Sequence, residues 1–467
     1  MPWERAKEDA MPQPGGTTRR RTMSRRRSVV FIPVAVVALL GLSVFSVSAA
    51  KPVGTDGSEV SHWNQVAATT LVAIPGPNGG APPAFQINMG MVQGAVYDAV
   101  NAIGKKHHQP YLLKKRASAK ASIDAAVATA AYDVLSKLVS TAPERIPFPG
   151  RAGLLDSLAS EYEASLDAID RGTSKRQGIA IGHAAAKAML KARAGDGRFG
   201  PSQWVPNSAA GHWQPLLNAA GEPILDPTPW AGGVKPFLIR RSSQFRSVPP
   251  PALDSAQWAT EFNEVKSLGR ATGSTRTDQQ TYIARWWQSA PVLSWNEVAR
   301  QLIARNDLNA ADSARLLALQ NLSGADAAIN CWNDKYHFDF WRPWNAIPRA
   351  LEDGNDATEP DTTWAALLTA PYPEWTSGHN CLDAAHVTVL RLFFGDAPGS
   401  FQITSTFVNP GGPAVRTFDT FSQPMAELIE ARIWAGLHYR SGDVAGQVLG
   451  GNVARYGIAN YFQPVGH

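Results

Sequence analysis

Apolar and alanine positions recur at helical spacing through most of this chain, and runs that alternate apolar with polar residues are scarce. The pattern predicts Ala-rich amphipathic helices over about 87–103, 119–140, 153–170 and 174–194, closed by Gly195, Gly197 and Gly200-Pro201. It resumes over about 255–268, 277–288, 294–305 and 308–336, and again over about 378–394, 422–437 and 443–457. Residues 51–85 are rich in Gly and Pro and are expected to be extended. Residues 200–255 combine Pro, Trp and Gly, with Pro249-Pro250-Pro251 among them. So long an irregular stretch reads as a lid or as a wrapping segment. Two further irregular stretches cover 350–373 and 395–420, and no internal repeat is evident. The expected fold is all-α: a single helical domain over 51–467, or two bundles packed together, with long irregular loops.

Charge separates the first 50 residues from the rest. They hold eight Lys/Arg against three acids, which accounts for the whole net charge of +5. The remaining 417 residues are therefore near neutral, and the basic balance is no sign of a nucleic-acid partner. In this leader an Arg-rich segment precedes the apolar run from Val29 to Phe45, and small residues follow at Val47-Ser48-Ala49-Ala50. That order predicts an export signal cleaved after Ala49 or Ala50, and Ser24-Arg25-Arg26-Arg27-Ser28-Val29-Val30 is similar to a twin-arginine signal. A retained N-terminal anchor is the alternative, the run being close to the shortest that spans a bilayer. Either way the body is expected to be periplasmic or extracellular. No second span is expected, since the apolar helix at 378–394 carries His379, Asp383, His386 and Arg391. The two cysteines, Cys331 and Cys381, flank the segments that carry the chemistry. Outside the cytoplasm they can form a disulfide, or they can pack as buried thiols. No CxxC or HExxH pattern marks a conventional metal site.

Three short segments within about 308–460 carry that chemistry. Lys335 and Arg342 are seven residues apart in an aromatic setting of Phe338, Phe340, Trp341 and Trp344. Two helical turns would return both cations to one face, with Pro343 ending the helix at Arg342. Ser377-Gly378-His379 opens a helix, with Ser377 as the expected N-cap, amides free for an anion, and a histidine able to move a proton. Arg432 and His438 are six apart, and they can converge if the helix loosens near Gly436. Three cations, a helix N-terminus and two imidazoles suit a tetrahedral oxyanion.

Lys-x6-Arg-Pro, then Ser-Gly-His, then Arg-x5-His resembles the signature shared by vanadium-dependent haloperoxidases and the type 2 phosphatidic-acid-phosphatase superfamily. Tyr97-Asp98-Ala-Val-Asn101, Trp230, Pro236-Phe237, Pro249-Pro-Pro and Thr275-x-Thr277 also look like the bacterial secreted branch of the haloperoxidase family. The resemblance implies that vanadate is held by Lys335, Arg342, Ser377, Gly378 and Arg432. His438 would be the apical ligand to vanadium, His379 the acid/base, and Lys335 a catalytic cation. Trp332 and Tyr372 would line the pocket near the halide path. The implied reaction oxidises halide with hydrogen peroxide to a hypohalous species. The alternative is an exported acid phosphatase, with phosphate in the same site and a phosphohistidine at His438. The chain departs from the common pattern at Thr376, Ala431 and Gly442, with Asp443 one place beyond the usual acid. The residue that orients His438 is left open by this shift.

Overall fold

The computed structural model describes residues 57–104, 108–202, 204–407 and 412–465. The expected export signal or anchor over 1–50 lies outside the described residues. Among the described residues thirteen α-helices follow in chain order: α1 (Ser58–Val72), α2 (Pro82–Asn101), α3 (Ile123–Ser140), α4 (Arg151–Asp167), α5 (Thr173–Ala192), α6 (Ala256–Leu268), α7 (Asp278–Trp286), α8 (Pro291–Arg305), α9 (Ala310–Phe338), α10 (Pro343–Ala346), α11 (Gly378–Phe394), α12 (Ser422–Trp434) and α13 (Arg440–Asn460). Among the described residues the sheet structure is one antiparallel hairpin, β1 (Phe401–Thr404) and β2 (Val415–Phe418), with Phe401 opposite Phe418. The fold is all-α, as the apolar spacing predicts. Among the described residues no helix is long and apolar enough to cross a membrane.

One expected extended stretch is in fact helical. Val60, Trp63, Ala67 and Leu71 recur at three- and four-residue spacing within 51–85 and are all buried, which makes α1. The Gly and Pro that suggested an extended chain lie outside it, at Gly57 and from Pro75 to Gly80. Pro82 and Pro83 open α2, in a first turn that needs no amide hydrogen.

Two sets of helices pack in the same way. In α5, Gly178 and Gly182 lie against the carbonyls of Ser122 and Ala126 at the start of α3. In α13, Gly446 and Gly450 lie against those of Ser377 and Cys381 at the start of α11. A Cβ at any of the four would collide with backbone, so both seams require glycine at the same four-residue interval. α2 covers the first pair and α9 the second, and α2 packs on α9 through the core. The two helix sets thus share one kind of seam where the sequence shows no repeat. The side chains around the two seams differ, and only backbone clearance is shared.

α9 organises the second set and fixes the long irregular segment. Asp326 accepts the amides of Phe237 (2.6 Å), Leu238 (2.6 Å) and Ile239 (2.8 Å). One turn later Asn330 Oδ1 accepts the amide of Phe245 at 3.0 Å. Asp334 in turn accepts the amide of Ser247 at 2.9 Å and Arg246 Nη1 at 3.0 Å. Of the two expectations for 200–255, the wrapping one fits: residues 237–247 are strapped along α9 by its own polar side chains.

Candidate oxyanion site

Three loops and two helix ends bring the motif residues together. α9 stops at Phe338 because Asp339 takes a left-handed backbone conformation (φ 48°). Arg342 follows in extended backbone (φ −82°, ψ 161°), just ahead of α10. Lys335 and Arg342 therefore do not share a helical face, contrary to the spacing argument. They meet because the chain turns back after Phe338. α12 ends at Trp434 and Gly436 adopts φ 73°, so the chain loosens where expected and turns His438 inward. α13 then begins at Arg440, which puts Gly442 and Asp443 in a helical first turn.

All three cations are buried, and Lys335 and Arg342 meet the loop that precedes α11. Lys335 Nζ donates to the carbonyls of Pro373 (3.0 Å), Glu374 (3.1 Å) and Thr376 (2.6 Å). Arg342 donates to the carbonyls of Tyr372 (3.0 Å), Pro373 (3.2 Å) and Leu437 (2.5 Å), and Nη1 also reaches His438 Nε2 at 3.1 Å. Arg432 Nη1 donates to the Trp287 carbonyl and to Gln288 Oε1, while its Nε is buried without a partner. Burial, then the neighbouring Arg342, lowers the Lys335 pKa to about 8. Tyr372 lies under both cations, 5.1 Å from Lys335 Nζ and 5.3 Å from the Arg342 guanidinium.

Ser377 and Gly378 start α11 as expected, but the Ser377 hydroxyl does not cap it. It accepts from Asn380 Nδ2 at 3.2 Å and bonds to Asp443, whose Oδ1 takes the same amide at 2.8 Å. Gly378 faces the Trp332 ring, which a Cβ would approach to 3.3 Å. His379 has one ring nitrogen on the Ser289 backbone, and its Nε2 is buried without a partner. Burial and then Arg432 hold its pKa well below the ordinary value, so it is a neutral imidazole near neutral pH.

The partner of His438 is Glu374, which sequence reasoning missed. His438 Nδ1 lies 2.7 Å from Glu374 Oε1, both side chains being buried. A guanidinium can only donate, so Nε2 must accept from Arg342, and Nδ1 must carry the proton toward Glu374. The distance suits an ion pair, yet burial raises the Glu374 pKa to about 7, and burial with Arg342 pushes that of His438 well down. Above neutral pH the pair is therefore a carboxylate and a neutral imidazole, with the Nε2 lone pair turned toward the cations. Asp443, the displaced acid of the motif, serves Ser377 and Asn380 instead. Nothing in the local pattern marked Glu374, because a glutamate in a Pro-rich loop ordinarily reads as solvated. Behind Trp332, buried Asp226 accepts from Trp332 Nε1 (2.9 Å) and the Tyr336 hydroxyl (2.7 Å), fixing the wall of the pocket. Tyr372 packs on that wall, its ring 5.1 Å from Trp332.

Residues 315–465 match the family model described as the VCPO second helical-bundle domain, a span that contains every motif residue. That match covers about a third of the chain and is to the second helical bundle alone. The chain is similar to the vanadium chloroperoxidase of Curvularia inaequalis, 23% identical over 45% of this chain and 45% of that protein. The chain thus aligns with less than half the length of that relative. Among solved structures it superposes on the first bacterial vanadium-dependent iodoperoxidase with a TM-score of 0.70, at 22% identity, covering 90% of this chain and 100% of that one. A holo-type bacterial vanadium-dependent chloroperoxidase superposes at 0.64, with 18% identity over 83% of this chain and 92% of that one. These likenesses show a shared fold. The donor set here also fits a tetrahedral oxyanion. Two buried nitrogens without partners, Arg432 Nε and His379 Nε2, belong to a cluster with three cations and one imidazole lone pair.

Proposed function

We propose that the protein is an exported vanadate-dependent haloperoxidase that oxidises halide with hydrogen peroxide to a hypohalous species. What supports this most is the unpartnered Nε2 of His379 beside three buried cations and the His438 Nε2 lone pair turned toward them. Lys335, Arg342 and Arg432 would hold the oxyanion's oxygens, with the Gly378 amide, at a helix N-terminus, as a further donor. His438 would bind vanadium through Nε2, its tautomer set by Glu374. Bound vanadate would supply Lewis-acid activation of peroxide toward halide. His379, neutral and close to Arg432, would take a proton from incoming hydrogen peroxide and return it later. Trp332 and Tyr372 would keep water from the halide path. Export rests on the leader.

The Glu374–His438 pair would equally favour attack by Nε2 on phosphorus, so phosphate-ester hydrolysis is the second reading. One experiment separates them. Mature protein is given vanadate, peroxide and, in turn, iodide, bromide and chloride with a halogen-accepting dye, and separately a phosphate monoester. Halogenation that needs vanadate supports the first reading. Its absence with all three halides refutes it, and ester turnover blocked by vanadate would put the second in its place.

A further inference from the structure

The two cysteines lie back to back behind the Ser-Gly-His turn. Cys331 is on α9, one turn before Lys335, and Cys381 is in the first turn of α11, two residues after His379. Both are buried and reduced in this structure. Thr376 joins them: its hydroxyl oxygen is 3.4 Å from Cys331 Sγ and 3.2 Å from Cys381 Sγ. The two thiols are close enough to shift each other's ionisation in opposite directions. Cys331 Sγ is 3.5 Å from the Thr376 carbonyl, and Lys335 Nζ holds that same oxygen at 2.6 Å. The two thiols are not equivalent. Burial opposes ionisation of Cys331, but the Cys381 hydrogen bond and the Lys335 cation outweigh it and lower its pKa. Cys381, buried and beside Cys331, is pushed well up. Of the two sulfurs, Cys331 is the easier to ionise and Cys381 the one that keeps its proton.

The geometry points to Cys331 and Cys381 as a modification site, a thiol pair that hydrogen peroxide converts to a disulfide joining α9 to α11. Cys331 thiolate attacks one peroxide oxygen, so that an S–O bond forms and the O–O bond breaks. The departing hydroxide leaves as water with the proton that Cys331 gave up. Cys381 sulfur then attacks the Cys331 sulfur. The S–S bond forms, the S–O bond breaks, and the hydroxyl leaves as a second water with the Cys381 proton. The thiol pair loses two electrons and the peroxide gains them. The bridge would close around Thr376, clamping the Lys335 turn of α9 to the helix N-terminus it faces. Peroxide is the oxidant whether or not vanadate is bound, so the proposal stands apart from the halogenation reading.

The test uses the full chain without vanadate or halide. Protein reduced with a phosphine and freed of reductant is exposed to hydrogen peroxide, denatured, alkylated and weighed intact. The expected result is loss of two hydrogens, no alkylation, and a cross-linked peptide containing Cys331 and Cys381, all reversed by reductant. Cys381→Ser should leave a sulfenic acid on Cys331 that a dimedone probe traps. The thermal midpoint of the wild type should rise on peroxide treatment. Two alkylated cysteines after exposure, or sulfinic acids with no cross-linked peptide, would overturn the proposal, and halogenation activity has no bearing on either outcome.

Discussion

Glu374→Gln isolates what the buried carboxylate does for His438. The amide keeps the shape and can still accept Nδ1–H through its oxygen, but the charge is gone. A hydrogen bond to a charged group contributes about 1.5–3 kcal/mol. The 2.7 Å contact lies in a setting with the Glu374 pKa near 7 and so is charged only above neutrality. At pH 8 the substitution should therefore weaken vanadate binding by about 10- to 100-fold, the scale of partners behind a metal-ligating histidine. Titration followed by vanadium-51 NMR or calorimetry measures this directly. Near pH 5.5 wild type and variant should differ little, because Glu374 is then protonated.

Folding stability gives a second readout of opposite sign. A carboxyl raised from 4.5 to about 7 holds its proton longer folded than unfolded. Its contribution is complete below the unfolded pKa and is lost as pH rises through the folded one, about 3 kcal/mol in all. His438 and His379, lowered on folding, act the other way: stability falls as pH drops through the ordinary histidine pKa. The opposing slopes partly cancel in the wild type between about pH 5 and 7. Glu374→Gln should leave the histidine slope alone, making its denaturation midpoint rise more steeply with pH. Equal vanadate affinity for wild type and variant at pH 8, together with unchanged pH slopes, would refute Glu374 as the orienting partner.

His438→Ala should abolish halogenation and vanadate binding by more than about 100-fold, while phosphate, held by the cations, should still be detectable by calorimetry. Anion affinity should fall as pH rises through about 8, where Lys335 loses its charge; a pH titration of inorganic phosphate binding checks this. Gly450→Ala places a Cβ in collision with the Cys381 carbonyl at the α11–α13 seam and should cost about 1–3 kcal/mol in denaturant unfolding, with Gly182→Ala at the matching seam similar. Asp226→Ala should unpin Trp332 and Tyr336, altering halide KM more than vanadate affinity in steady-state assays.

Most of the helices and the three motif segments were legible, because helical spacing and fixed residue order survive in a single sequence. α1 was hidden by the Gly and Pro on either side of it. Lys335 and Arg342 were correctly paired for an incorrect reason, since a left-handed Asp339 is invisible to periodicity. Ser377 marked the helix start, yet its hydroxyl accepts from Asn380, an amide that also donates to Asp443, and the second contact exists only once α13 has docked. Glu374 gained its role through burial, which composition does not report. The duplicated seams escaped notice because they repeat a requirement for empty space and not a string of letters.

The strap along α9 constrains the order in which the chain can assemble. Within residues 237–247 the amides of Phe237, Leu238, Ile239, Phe245 and Ser247 are taken by Asp326, Asn330 and Asp334, side chains that line up only after α9 is wound. The strap therefore orders after the helix that follows it in sequence. Hydrogen exchange should show its amides opening together with α9 and not as an independent loop. Residues that precede the site in the chain are thus held in place by the element that carries Lys335.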